Sequence, residues 1–369
     1  MAPTKTDKDR LRDAEEIIRQ KQARLTLVER EIKLIQRDND AAAKIRREIY
    51  DLKETTAEPP VWISRLRDPK SSGVPCAILS DVHMGERVDR NQVGGVNIFN
   101  RPVGKRRLHS WAEVLLDLSY NHMVNTDYPG LVLAFGGDMI TGNIHDELRE
   151  TNDGPVQLAL LELQEHLIAA ITLLADKFGR VFLPCVVGNH GRETLKKRAK
   201  NRVYTSYEWN LYCQLELYFK NDKRVQFFIP EETDAYFTVQ GHRYLLTHGD
   251  DLGVKGGDGI IGALGPIARG TMKVGNQQKQ IGRDFDTLLI GHYHTYLPRS
   301  EAAHVIVNGC VVGYNEFAHI TLRVPYSRPT QALWFTHPRY GVTCQWPMYL
   351  DKLPRPKATD WVTWNDRRD

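Results

Sequence analysis

Five stretches of this chain place metal-ligating side chains directly after apolar runs: CAILSDVH (76–83), LVLAFGGD (131–138), VFLPCVVGNH (181–190), YLLTH (244–248) and TLLIGHYH (287–294). They supply Asp81, His83, Asp138, Asn189, His190, His248, His292 and His294. Carboxylate and amide oxygens with imidazole nitrogens, and no thiolate, suit Mn²⁺, Fe, Zn²⁺ or Mg²⁺; the imidazole share leans toward transition metals. A carboxylate such as Asp138 has lone pairs on both oxygens and can bridge two ions. Two ions about 3.5–4 Å apart activate water and clamp the oxygens of a phosphoryl group under attack. Singly, each piece has an ordinary reading: Asp-x-His by chance, TH as a structural histidine, GGD as a turn. The series, each member ending an apolar run, points to one site.

The elements that must position these residues are short and β-branched: CAILS, LVLAF, VFLPCVV, YLLT, TLLI and HVIVNG (304–309). Helical stretches such as 158–178 separate several of them. Strands alternating with helices imply an α/β fold with buried sheets, and in such sheets sites form where loops leave the carboxyl ends of strands. Glycines at 136, 137, 188 and 291 are expected to allow tight turns there. The glycine-rich segment 253–273 reads as a mobile loop over the site. Residues 326–369 read as strands completing a sheet edge or forming a small appendage.

The ordered motifs DVH (81–83), GD (137–138), GNHG (188–191), TH (247–248) and GHYH (291–294) resemble those of the calcineurin-like metallophosphoesterase superfamily, over about residues 76–325. The resemblance implies a four-layer α/β/β/α sandwich with a dinuclear centre. One ion would take Asp81, His83, Asp138 and His294, and the other Asp138, Asn189, His248 and His292. It also implies a bridging hydroxide as nucleophile and His190 as the general acid, for which a near-neutral imidazole is suited; of the ions the donor set suits, two Mn²⁺ are the expected cofactor. The family usually has Asp or Glu after GNH; here that position is Gly191. Either another carboxylate (Glu193, Asp146 or Asp250) orients His190, or the acid is tuned differently.

Residues 1–57 read as an N-terminal helical arm. Leu11, Ala14, Ile18, Leu25, Val28, Ile32 and Ile35 form a narrow coiled-coil-like stripe, interrupted after residue 36. The arm is either a solvated helix on its own domain or a device for homo-oligomerisation or partner binding. Pro59 and Pro60 open a linker over 58–75. No apolar signal core opens the chain, and no stretch approaches the roughly 20 apolar residues a membrane helix needs, so no membrane association is expected. Five scattered cysteines, never CxxC, point to a reducing, cytoplasmic setting.

Net charge is only +4, so nucleic acid would need local patches. Two offer themselves: GRETLKKRAKNR (191–202), with six basic residues, and RPVGKRR (101–107), with four. Tyr204, Tyr207, Trp209 and Tyr212 follow the first as stacking platforms or as an aromatic core face. The stretch GNHGRET…TSYEWNLY resembles phage- and prophage-borne members related to DNA-repair exonucleases, which would put Asn143, His145 and Arg192 near the substrate phosphate. The expectation is a DNA nuclease. A phosphatase or phosphodiesterase on protein-borne or small esters, and a non-enzymatic interaction protein with a degenerate body, are the alternatives.

Overall fold

The computed structural model describes residues 73–252, 264–300 and 303–352, with ten further helical residues between positions 19 and 33. The chain divides into two compact units, Met1–Glu58 and Pro59–Asp369. In the first, the ten described residues are exposed, including Leu25 and Val28 of the apolar stripe. The rest of the expected arm, and the expected linker as far as residue 72, lie outside the described residues.

In the second unit the first sheet holds four parallel strands, β1 (Val74–Leu79), β2 (Leu131–Phe135), β3 (Val181–Pro184) and β4 (Val225–Phe228). β10 (Thr330–His337) pairs antiparallel with β1, and β11 (Gly341–Tyr349) pairs with β10 at the edge, giving the order β11-β10-β1-β2-β3-β4. The second sheet contains β5 (Asp234–Val239), β6 (His242–Thr247), β7 (Thr287–Ile290), β8 (Leu297–Ser300) and β9 (His304–Val307), in the order β5-β6-β7-β9-β8. Its three central strands are parallel.

Side-chain alternation along the strands builds the layers. Ala77 and Leu79 face outward to a core shared with α1 (Arg101–Tyr120), α3 (Val156–Phe178) and α4 (Tyr207–Phe219), through Trp111, Leu167 and Leu215 among others; a short helix α2 (Asp146–Thr151) comes between α1 and α3 in the chain. Their neighbours Cys76 and Ile78 face inward, where they meet Phe237, Tyr244, Leu246 and Leu289 of the second sheet and Trp334 of β10. On the far side Leu245, Leu288 and Ile290 pack on Ile267 of α5 (Leu264–Gln280). The result is an α/β/β/α sandwich whose central strands are buried on both faces, which is why they read as continuous apolar runs.

Local signals fix the helix ends. Asn100 caps α1 by accepting the Val103 N–H, with Pro102 in the first turn. Gly179 ends α3 in the left-handed conformation. Two expectations are corrected. Segment 253–273 is not a loop throughout: 264 onward is helix α5, and 253–263 lies outside the described residues. Helix α3 is long and apolar enough to cross a membrane by length and composition. Its buried stripe, from Ala159 through Leu163, Leu167 and Ile171 to Phe178, instead faces the sheet core.

Candidate metal centre

Each ligand-type residue lies just beyond the carboxyl end of a parallel strand: Asp81 and His83 after β1, Asp138 after β2, Asn189 and His190 after β3, His248 after β6, His292 and His294 after β7. Thus both sheets feed one crevice. The loops after β1 and β2 run side by side, with Asp81 N donating to Gly137 O (2.9 Å) and His83 N to Asp138 O (3.0 Å). The two aspartates tie further loops in. Asp138 Oδ1 accepts His190 N (2.7 Å), and Asp81 Oδ1 accepts His292 N (2.9 Å).

The ligand atoms converge. His83 Nε2 stands 3.1 Å from His294 Nε2, which is 3.3 Å from Asp81 Oδ1. His248 Nε2 lies 3.0 Å from Asp138 Oδ2 and 3.2 Å from Asn189 Oδ1. Asp138 Oδ2 is also 3.9 Å from His83 Nε2, so this carboxylate joins the two halves. Asp81, His83 and His294 form one group of mutually close ligand atoms, and Asp138, His248 and His292 another. Asp81, His83, Asp138 and His248 are all at most 2% exposed.

The backbone here is held in an uncommon conformation. Asp81, His83, Asp138, His292 and His294 all have φ between 51° and 65°, the left-handed region that side chains other than glycine disfavour. They are five of the nine such non-glycine residues among those described. A cost of about 1 kcal/mol or more each is borne only where the surrounding structure over-determines the geometry. The expected glycine turns are therefore mostly supplied by the ligands themselves. Of the four glycines, only Gly137 has positive φ; Gly188 serves close approach, since a Cβ there would overlap the Asp138 carboxylate.

The donor set fits divalent cations. His248 Nδ1 faces the carbonyl of Gly136 (2.8 Å) and so carries a hydrogen. In the neutral ring its Nε2 lone pair then faces two oxygens, Asp138 Oδ2 and Asn189 Oδ1, with no proton between them. A cation or a proton must fill that gap. Burial opposes charge on His248, but the Asp138 carboxylate beside it outweighs that and raises the ring to about 10. Burial and then neighbouring imidazoles depress His83 well below its ordinary value and His292 to about 4, which leaves both rings neutral. His83 Nδ1 is buried without a hydrogen-bond partner and faces Glu86 Oε2 at 3.6 Å. A carboxylate behind a ligating imidazole is the usual outer partner of a metal-bound histidine.

His190 has its ring centroid 4.6 Å from that of His83. Among the described residues, no carboxylate is hydrogen-bonded to its ring. Its Nδ1 donates to the backbone carbonyl of Thr141 (2.9 Å), while Asp250 pairs with Arg202 and Lys197, and Asp146 with Arg149. Of the expected substrate contacts, His145 is 6.2 Å from His190 between ring centroids. Asn143 is exposed and bonded to Asn152 (3.2 Å). Arg192 folds back onto the carbonyls of Asn189 (2.6 Å), Thr194 and Leu195, so it braces the loop carrying Asn189.

Much of the expected basic character is neutralised within the chain. Arg101 and Lys105 pair with Glu162, and Arg106 and Arg107 with Asp351. Lys197 and Arg202 pair with Asp250 and Asp251. Tyr212 is fully buried, Tyr207 and Trp209 pack on the helical core, and Tyr204 meets Trp209 edge-on at 5.3 Å. The aromatic run is mainly a core face rather than a stacking platform.

Other functional neighbours carry no motif. Ser80 donates to Asp81 Oδ2 and accepts from Asn308 Nδ2 (2.8 Å); Asn308 Nδ2 also reaches Gln331 Oε1 (2.8 Å). This buried network joins the two sheets behind Asp81. Glu208 of α4 is fully buried and accepts from Met139 N (2.7 Å) and Gly188 N (2.7 Å). Its readable signal is an acid on the buried stripe 208, 211, 212, 215 of an amphipathic helix.

No family model matches the chain, and no curated protein does. Among solved structures it overlaps wild-type Vps29 complexed with zinc from Entamoeba histolytica (12% identity, TM-score 0.32, 74% of this chain and 99% of that one). It also overlaps a novel archaeal phosphodiesterase (10%, 0.33, 74% and 99%). A third overlap is with phosphopantetheinyl hydrolase from Mycobacterium tuberculosis (13%, 0.29, 70% and 95%).

Proposed function

We propose that the chain is a metal-dependent phosphoesterase of the calcineurin-like class, with Asp81, His83, Asp138 and His294 around one divalent ion and Asp138, Asn189, His248 and His292 around a second. The observation that carries this reading is the convergence of these seven side chains, from five strand ends of two sheets, on one buried crevice. Mn²⁺ is the proposed ion; Fe, Zn²⁺ and Mg²⁺ share the donor chemistry. When bound, such ions supply Lewis acidity, lowering the pKa of water and neutralising phosphate oxygens.

The chain's own residues do the rest. Asp138 joins the two half-sites, and Asn189 closes the second beside His248. His190 keeps a hydrogen on Nδ1 through Thr141 O, so the imidazolium form would give its Nε2 proton to the departing ester oxygen and return to the neutral Nδ1–H ring. The carbonyl fixes the ring's tautomer, as the missing carboxylate would have done.

For substrate, the reading is a DNA phosphodiester. It is supported by Lys196, Arg198 and Lys200, exposed on the loop that follows His190, because the other basic residues of both patches are engaged. The test is a panel: Mn²⁺-loaded protein with single- and double-stranded DNA, a phosphopeptide, a cyclic nucleotide and a chromogenic diester. Nucleotide release from DNA that disappears in Asp138→Ala supports both levels. Turnover of the phosphopeptide alone removes the nuclease reading. No bindable transition metal and no hydrolysis at all leaves the non-enzymatic reading.

A further inference from the structure

We infer that Glu208 is the positioning carboxylate of this site, reaching from helix α4 into the space that a side chain at Gly191 would occupy. The inference rests on the proposed metal centre for its functional meaning, but its geometry stands alone. Glu208 Oε1 accepts the N–H of Met139, next to Asp138, and Oε2 accepts the N–H of Gly188, next to Asn189. One carboxylate therefore sets the spacing of the two loops that deliver the shared aspartate and the amide. Its own backbone is fixed by the Ser206 cap of α4, and Tyr207 N donates to Gly191 O (2.8 Å), so helix start and loop move together.

Gly191 supplies the second half of the observation. Its φ is not in the left-handed region, so its backbone would accept any side chain. What excludes one is Glu208: a Cβ at 191 would lie 2.5 Å from Glu208 Cγ and 2.6 Å from Cδ. The glycine and the buried acid are thus one device. A side chain at 191 would start where the Glu208 side chain now ends, and the glycine leaves that space to the carboxylate. Among the described residues, the hydrogen bonds of this fully buried carboxylate are to backbone donors of the two ligand loops, which ties its burial to those loops.

The test uses the full chain with Glu208→Gln, Glu208→Ala and the double change Gly191→Asp with Glu208→Ala. Two readouts are taken: hydrogen exchange at the Met139 and Gly188 amides without metal, and Mn²⁺ affinity by calorimetry. Glu208→Gln is isosteric, but its amide nitrogen cannot accept, so one of the two amides should lose protection while the fold persists. Mn²⁺ affinity should fall about 10- to 100-fold, the usual cost of losing a support behind a metal ligand. Glu208→Ala should expose both amides, and the double change should restore protection and affinity by returning an acid to the loop. Unchanged exchange and Mn²⁺ affinity within twofold in Glu208→Gln overturn the inference, as does a double variant no better than Glu208→Ala. Should the unaltered chain bind no divalent ion, the metal reading fails, and the exchange data alone still decide whether Glu208 holds the loops.

Discussion

At the scale of single residues the site separates binding from proton transfer. Asp138 touches both half-sites, so Asp138→Ala should abolish Mn²⁺ binding measured by calorimetry, whereas His190→Ala should bind the ion and fail in turnover. For an ester with an alkoxide leaving group the loss should be about 10²–10⁴-fold, the span of general acid catalysis. For a nitrophenolate, which leaves without a proton, the loss should be much smaller; equal losses would remove His190 from that role. Asp250 offers a pH test. Burial alone would raise its carboxyl, but His248 and Arg202 hold it down at about 2, below its ordinary 3.8. A depressed folded value stabilises the protein fully above about pH 4, and that contribution is lost as pH falls toward 2. Chemical denaturation of metal-free protein across this window should show the acid limb flattened in Asp250→Asn.

At the scale of elements, the sandwich depends on two sheets meeting face to face. Trp334 of β10 lies in that seam, 1% exposed, and donates to Tyr244 Oη (3.1 Å). Trp334→Ala should cost about 3–5 kcal/mol in urea unfolding through the cavity it leaves. Because β10 also carries Gln331 behind Ser80 and Asp81, Gln331→Ala should weaken Mn²⁺ binding with a smaller loss of stability. Most strands were legible in the sequence. β1, β2, β3, β6, β7 and β9 are continuous apolar runs because both faces are covered. β4, β5 and β8 were not read out, since all three lie at sheet edges with mixed burial and leave no continuous apolar run. The expected mobile loop became α5 in its second half because Ile267 of GPIAR finds the outer face of the second sheet, a contact invisible to local composition.

For the whole molecule, a ligand that binds only the folded state raises stability by mass action. Mn²⁺ at about 100 times its Kd should add about 2.7 kcal/mol, seen as a rise in Tm that EDTA reverses. No such shift with any divalent ion would remove the metal centre. Deleting residues 1–55 should reduce oligomer size or processivity and leave hydrolysis of a small chromogenic diester intact; loss of that basal hydrolysis would contradict an arm separate from the body.

What the sequence determined by itself was the kind of chemistry and its address: oxygen and nitrogen ligands placed one after another at the ends of apolar strands. Residue type and strand period are local properties, so they can be read along the chain. Tertiary structure decided whatever depends on residues brought together from far apart. It paired Lys197 and Arg202 with Asp250 and Asp251, which removed much of the basic patch. It gave His190 a carbonyl in place of a carboxylate, and it set Glu208 against Gly191. Charge and hydrogen-bond partners are chosen by distance in space, and the fold alone fixes that distance.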